Sequence, residues 1–266
     1  MKPELSRLEL SIADGIATVS LNRADKLNAI DMQMFKELDA LSKSLKKEKG
    51  LRVVIVKGNG NDFCSGIDIK SALANASNTR KLLFKWLPGL PNLAQRVSVN
   101  WRKLNVPVIM VLHGRCWGGG MQIALGGDFR IAAPDTGMAI MENKWGLIPD
   151  MGGTLALRET LAADHAMELA MTAREVDANT AYRMGLVTHV SENPLQHAKE
   201  LAEELKNRNP DTIAHIKRNY QKAWHKNDGA LLADETISQI RIIAGKNQKI
   251  AVARETKDPQ RQWKLD

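Results

Sequence analysis

The chain has 266 residues, 44% of them hydrophobic and 26% charged, a globular balance in a length that buries a core without covalent staples. Its 38 Lys and Arg against 30 Asp and Glu give a net charge of +8, which favours anionic partners such as nucleic acid or a phosphorylated small molecule. Only two cysteines, no apolar run near the roughly 20 residues that span a bilayer, and no secretory signal exclude a disulfide framework, a four-cysteine zinc site and a membrane partner, and make the cytoplasm the expected location.

Residues 8–12 and 16–21 read as two strands around the turn signal Asp14-Gly15. Asp31 is placed to cap a helix that carries Met34, Phe35, Leu38, Leu41 and Leu45 at helical spacing. Val53-Val54-Ile55-Val56 is a buried strand ending in the loop 57–62. Next comes Phe63-Cys64-Ser65-Gly66-Ile67-Asp68, where Asp68 is placed to cap a helix from Ile69. Residues 106–112 are a second buried strand, leading through the triple glycine at 118–120 into an apolar helix at 121–125. After about Pro194 the pattern is helix upon helix. Leu195, Ala198, Leu201, Ala202 and Leu205 share one face, and Ile237, Ile240 and Ile243 mark another. The expected organisation is an α/β core over 1–193 and a helical region over 194–266, with no repeat or linker between them.

The triple glycine is the first feature with chemical content. At a helix start its N–H groups lack intrahelical partners, and the missing side chains let another group approach. Tight packing of the helix and an oxyanion hole both fit that pattern. If the two strand-to-loop units fold side by side, the N–H of Ile67 joins that of Gly119 around one oxygen, as an enolate or tetrahedral intermediate requires. Other glycine chemistries drop out. Gly58-Asn59-Gly60 is followed by Phe63 where a dinucleotide fingerprint needs its last glycine, and no G-x-S-x-G, P-loop or H-E-x-x-H segment exists.

Glu142 and Asp150 flank a short apolar segment that Pro149 prevents from being one continuous helix, so both acids project from a bent loop. A carboxylate in an apolar pocket has a raised proton affinity and suits proton transfer at neutral pH. The plainer alternatives are a solvated Glu142 and an Asp150 that caps the following helix.

In order and spacing, five stretches resemble the crotonase superfamily, the enoyl-CoA hydratase/isomerase group. They are Asn28-Ala29, Phe63 through Ile69, His113 through Gly120, Gly146-Leu147-Ile148-Pro149 with Gly152-Gly153-Thr154, and Thr172-Ala173-Arg174 followed by Ala181 and Gly185-Leu186-Val187. The resemblance implies an α/β, crotonase-like spiral of ββα units whose C-terminal helices build a homotrimer or a dimer of trimers. It implies an acyl-CoA thioester whose carbonyl lies between the N–H groups of Ile67 and Gly119. Coenzyme A is then part of the substrate, with no separate cofactor and no metal. Lys26 lies in the loop that resembles the family's CoA-contacting segment, with Gly66 and Asp68 as further CoA-binding candidates, and the positive charge has a role at the nucleotide phosphates.

One departure matters. Hydratases of this group carry a glutamate two residues after the triple glycine and a second where Glu142 stands, and the pair holds and activates water. Here the first position is Gln122, which hydrogen-bonds but cannot accept a proton. Asp150 falls where the group's dienoyl-CoA isomerases and aromatic acyl-CoA dehalogenases place a working aspartate, although the dienoyl isomerases also carry an acid at the Gln122 position. The expected reaction is double-bond isomerisation of an unsaturated acyl-CoA through an oxyanion-stabilised enolate, with protons moved by Glu142 and Asp150. The alternatives are hydration of a 2-enoyl-CoA by Glu142 with Gln122 orienting water, a catalytically degraded relative, and an RNA-binding relative. The few aromatic residues and the lack of a recognisable RNA module argue against nucleic acid. Dehalogenation lacks an assignable histidine.

Overall fold

A computed structural model describes residues 4–72 and 76–265. Strand β1 (Leu8–Ala13) turns through Asp14 and Gly15, both at positive φ, into β2 (Ile16–Leu21), with Leu8 opposite Leu21 and Ala13 opposite Ile16. That turn has the twist a two-residue hairpin needs. Helix α1 (Met32–Leu45) begins where expected: Asp31 Oδ1 accepts from the Met34 N–H at 2.8 Å, and Met34, Phe35, Leu38, Leu41 and Leu45 are all buried. Strand β3 (Val53–Gly58) follows, then the helices α2 (Ile69–Ala72), α3 (Ala76–Leu83) and α4 (Leu93–Arg102). Strand β4 (Val108–Leu112) leads to a short β5 (Arg115–Trp117) that the sequence reading did not separate, and helix α5 (Gly119–Ala124) starts earlier than expected. Next in the chain are β6 (Phe129–Ala132), β7 (Gly137–Ala139), α6 (Gly153–Thr160), α7 (Ala163–Thr172), α8 (Ala178–Met184) and β8 (His189–Val190). Helices α9 (Pro194–Lys206), α10 (Pro210–Ala223), α11 (Asp228–Ala244) and α12 (Lys246–Thr256) complete it.

The main sheet runs β1-β2-β3-β4-β6-β8, parallel except for the first hairpin, and β5 pairs with β7 in a small second sheet. Residues 53–56 of β3 and all of β4 are apolar because both of their faces are covered. Val54, Val56, Val108, Met110 and Leu112 face the larger core under α1, α4 and α5. Val53, Ile55, Ile109, Val111 and Ile131 face Ala198 and Ala202 of α9, with Leu195, Leu201 and Leu205 packed at the edge. The apolar face expected on α9 is therefore the lid of the sheet's second side. Ile237, Ile240 and Ile243 of α11 are 47%, 62% and 56% exposed in the single chain. Among the described residues, no helix is long and apolar enough to cross a membrane.

Candidate active site

Because β3 and β4 are parallel neighbours, their C-terminal ends deliver the loops 59–68 and 113–118 to the same edge of the sheet. Three backbone bonds join those loops: Phe63 N–H to His113 O, Cys64 N–H to Arg115 O and Trp117 N–H to Cys64 O, each 2.9 Å. The glycines then divide their labour. Gly118 takes φ +50° to turn the chain into α5, and a Cβ on Gly120 would lie 2.6 Å from the Cys64 carbonyl, so close packing and the functional turn are both present.

Between them, Gly119 offers its N–H. A parallel bridge to Ile30 uses the groups on either side of Ile67: Ile30 N–H donates to Gly66 O at 2.8 Å, and Asp68 N–H donates to Ile30 O at 3.1 Å. That pairing turns the N–H of Ile67 itself to the other side. Among the described residues, neither the Ile67 nor the Gly119 N–H has an acceptor. A Cβ on Gly119 would lie 3.0 Å from Ile67 Cγ1, which places the two residues in contact. Two unpaired donors on adjacent backbone are the arrangement that an oxyanion hole would require.

Gln122 lies one helical turn beyond Gly119 and is fully buried. Its Nε2 donates to Glu142 Oε1 at 2.6 Å, and its Oε1 accepts from the N–H groups of Met151 at 2.8 Å and Gly153 at 3.2 Å. Glu142 opens a 3-10 turn, Glu142–Trp145, and is buried rather than solvated. Its Oε2 is buried and, among the described residues, has no partner. Burial pushes the Glu142 carboxyl above the usual carboxylate range. The Asp150 charge adds to this, and the Gln122 bond opposes it. Asp150 is half-buried, and burial likewise raises its proton affinity against a weaker opposing field from Lys85. The capping alternative for Asp150 is not what is observed, because Gly152 occupies the cap position of α6 and no side chain bonds there. Between the acids, Trp145 and Ile148 are 65% and 75% exposed.

The CoA-binding candidates lie beside this centre. Lys26 ends an exposed 3-10 turn, Ala24–Lys26, and its field reaches Asp68. Gly66 contributes the carbonyl that anchors Ile30. Asp68 has both oxygens engaged, Oδ2 by Arg23 Nη1 at 2.8 Å and Oδ1 by the Ser71 N–H at 3.1 Å, and the Arg23 bond holds its carboxyl below the usual range. Two residues shape this loop: Arg23, which the sequence reading did not single out, and Asn28, which it used only for the family resemblance. Arg23 also donates to Ala29 O at 3.0 Å, and Asn28, at φ +54°, donates from Nδ2 to Asn59 O and Asp62 O, both at 2.8 Å. The only local signal for either was an asparagine, which tolerates the left-handed region.

The profile of the enoyl-CoA hydratase/isomerase family matches residues 11–264. Similar proteins include the carnitinyl-CoA dehydratase of Citrobacter koseri, 33% identical over 77% of both chains, and that of Escherichia coli K12, 32% identical over 80% of both chains. Among solved structures, the enoyl-CoA hydratase of Bacillus anthracis aligns with a TM-score of 0.89 at 25% identity, covering 97% of this chain and 99% of that one. The enoyl-CoA hydratase of Mycobacterium tuberculosis H37Rv aligns at 0.85 and 26% identity, covering 97% and 98%. Alike in fold to these enzymes along almost its whole length and matched throughout by their profile, the chain belongs to the enoyl-CoA hydratase/isomerase family of the crotonase superfamily.

Proposed function

We propose that the protein moves protons at the carbons near the carbonyl of an acyl-CoA thioester, with double-bond isomerisation as its principal reaction. The observation that carries this reading is Glu142, with one oxygen tied to Gln122 and the other buried and free. One basic oxygen suffices to take a proton from C2 of a 3-enoyl thioester. The electron pair moves onto the thioester oxygen, which the Ile67 and Gly119 N–H groups receive, each donor contributing about 3–4 kcal/mol in comparable sites. Asp150, whose proton affinity burial raises, returns a proton at C4 as the double bond moves into conjugation, and the two acids then re-equilibrate with solvent. The chemistry asks for no group beyond the thioester and these side chains. Lys26 is exposed, and the resemblance of its loop to the family's CoA-contacting segment is what suggests it for the CoA phosphates. The apolar face of α11 supports assembly into a trimer or a dimer of trimers.

A second reading is loss or addition of water at a 3-hydroxyacyl/2-enoyl thioester pair, favoured by the similarity to carnitinyl-CoA dehydratases. In it Glu142 serves as both acid and base. Gln122 orients water only through its one remaining Nε2 hydrogen, since its oxygen already serves two backbone donors. The test is a panel of 3-enoyl-, 2-enoyl- and 3-hydroxyacyl-CoA followed by mass and ultraviolet absorbance. Isomerisation raises conjugated-thioester absorbance at constant mass. An inert 3-enoyl-CoA beside a 3-hydroxyacyl-CoA that loses one water would replace the first reading with the second.

A further inference from the structure

At the end of the sheet opposite the catalytic loops, where β3 and β4 begin, a cavity of about 370 Å³ opens between the strand ends, the first turn of α10 and the end of α11. Arg52, the residue before β3, lines it and is 6% exposed. Its position is built into the fold. The Arg52 N–H donates to Gly15 O at 2.7 Å, and a Cβ on Gly15 would lie 2.9 Å from Arg52 Cγ, so the β1–β2 turn makes room for the arginine stem. The guanidinium donates from Nη2 to Arg208 O at 2.5 Å and, among the described residues, has no other side-chain bond and no carboxylate partner.

A buried cation is costly unless it is paired or hydrogen-bonded. Arg130, 5% exposed, is held by two carbonyls, those of Leu186 at 2.8 Å and Gly127 at 2.9 Å. Lys217 meets Asp128 at 2.7 Å and Arg23 meets Asp68 at 2.8 Å. Arg52 has one carbonyl partner, and positive charge gathers around it. Lys46, Arg218 and Arg241 line the same cavity, and among the described residues none of the three forms an ion pair. Lys264 adds a further positive charge. The carboxylates on the lining are Glu48 and Asp211, and the Asp211 charge acts on Arg52, but the cations Lys46, Arg52, Arg218, Arg241 and Lys264 outnumber them, so the lining is net positive. The field shows in the neighbours: burial, then Arg218 and Arg241, hold the His215 imidazole below its usual range.

We propose that this cavity binds a phosphate-bearing small molecule of diphosphate or nucleotide size, with Arg52 donating from the interior and Arg218 and Arg241 from the rim. Planar guanidinium groups match phosphate oxygens with paired donors, and a single inorganic phosphate would leave most of the cavity unfilled. The site is distinct from the catalytic loops and stands whichever reaction they perform.

The experiment is calorimetric titration of the full chain with inorganic pyrophosphate in the presence of saturating CoA, which occupies the catalytic site. One saturable site per chain is expected. Arg218→Gln/Arg241→Gln should weaken it by about tenfold or more while leaving melting temperature and acyl-CoA turnover unchanged. Arg52→Gln, checked for fold by circular dichroism, should weaken it at least as much. The control pair Lys199→Gln/Lys249→Gln removes the same charge away from the cavity and should leave the affinity as it was. No saturable heat, unchanged affinity in the Arg218/Arg241 pair, or equal weakening in the control pair would overturn the proposal.

Discussion

At Glu142, burial and the Asp150 charge favour the protonated acid while one hydrogen bond from Gln122 favours the anion, and burial prevails. A carboxyl whose folded-state proton affinity is raised contributes stability in acid and loses it as pH rises through the raised value. Glu142→Gln should therefore melt higher than the parent at about pH 8, with the difference vanishing at about pH 4, while turnover is lost. Thermal melts across that range check the sign. Asp150→Asn removes the proposed proton carrier but no cap, since Gly152 holds that position. It should retain its melting temperature and lose about 100-fold or more in kcat. A methyl group at Gly119 would press on Ile67 Cγ1 at 3.0 Å and Met151 Sδ at 3.1 Å. Gly119→Ala should thus shift the N–H and lower kcat by about 100-fold, with CoA binding retained in a direct titration.

Helix α5 is held to the segment before α6 by one side chain. Gln122 receives the N–H groups of Met151 and Gly153 and steadies Glu142, so the spacing of Glu142 and Asp150 depends on it. Gln122→Leu leaves two buried donors unpaired and should cost about 1–3 kcal/mol or more in urea unfolding. It also removes the bond that favours ionised Glu142, so the acid limb of the kcat/KM profile should move to higher pH. A purely structural loss would lower the rate without moving that limb. A glutamate at this position would set a second carboxylate at the distance Gln122 now keeps, and the pair would have to share a proton.

Over the whole molecule, the parallel sheet separates two chemistries. Loops at the C-terminal ends of β3 and β4 carry the unpaired N–H groups, the segment between β7 and α6 brings the acids to them, and the N-terminal ends of β3 and β4 border the cavity around Arg52. The sheet keeps this shape because α9 closes its second face with Ala198 and Ala202, both fully buried against Val53, Ile55 and Ile109. Alanine is what the spacing there admits. Ala198→Leu should overpack the layer and cost about 1–3 kcal/mol in urea unfolding, with KM for the acyl-CoA substrate unchanged because the catalytic loops lie beyond the strand ends.

The sequence by itself determined what depends on near neighbours. The hairpin at Asp14-Gly15, the Asp31 cap, the apolar strands β3 and β4, the α9 face and the glycine turn before α5 are all local patterns of spacing and turn chemistry, and each is found. The order and spacing of five stretches, from Asn28-Ala29 to Gly185-Leu186-Val187, were enough for the family, and the candidates Ile67, Gly119, Gln122, Glu142 and Asp150 were legible from them. What those residues do to one another was decided by tertiary structure alone. The bridge to Ile30 turns the Ile67 N–H outward, Gln122 spends its oxygen on Met151 and Gly153, and Asp150 is left without a helix to cap. The Arg23–Asp68 pair and the Arg52 guanidinium, which among the described residues forms no ion pair, likewise have no local signature. The physical reason is common to them all: burial and pairing depend on which distant segments the sheet register brings together, and no periodicity within a segment encodes that.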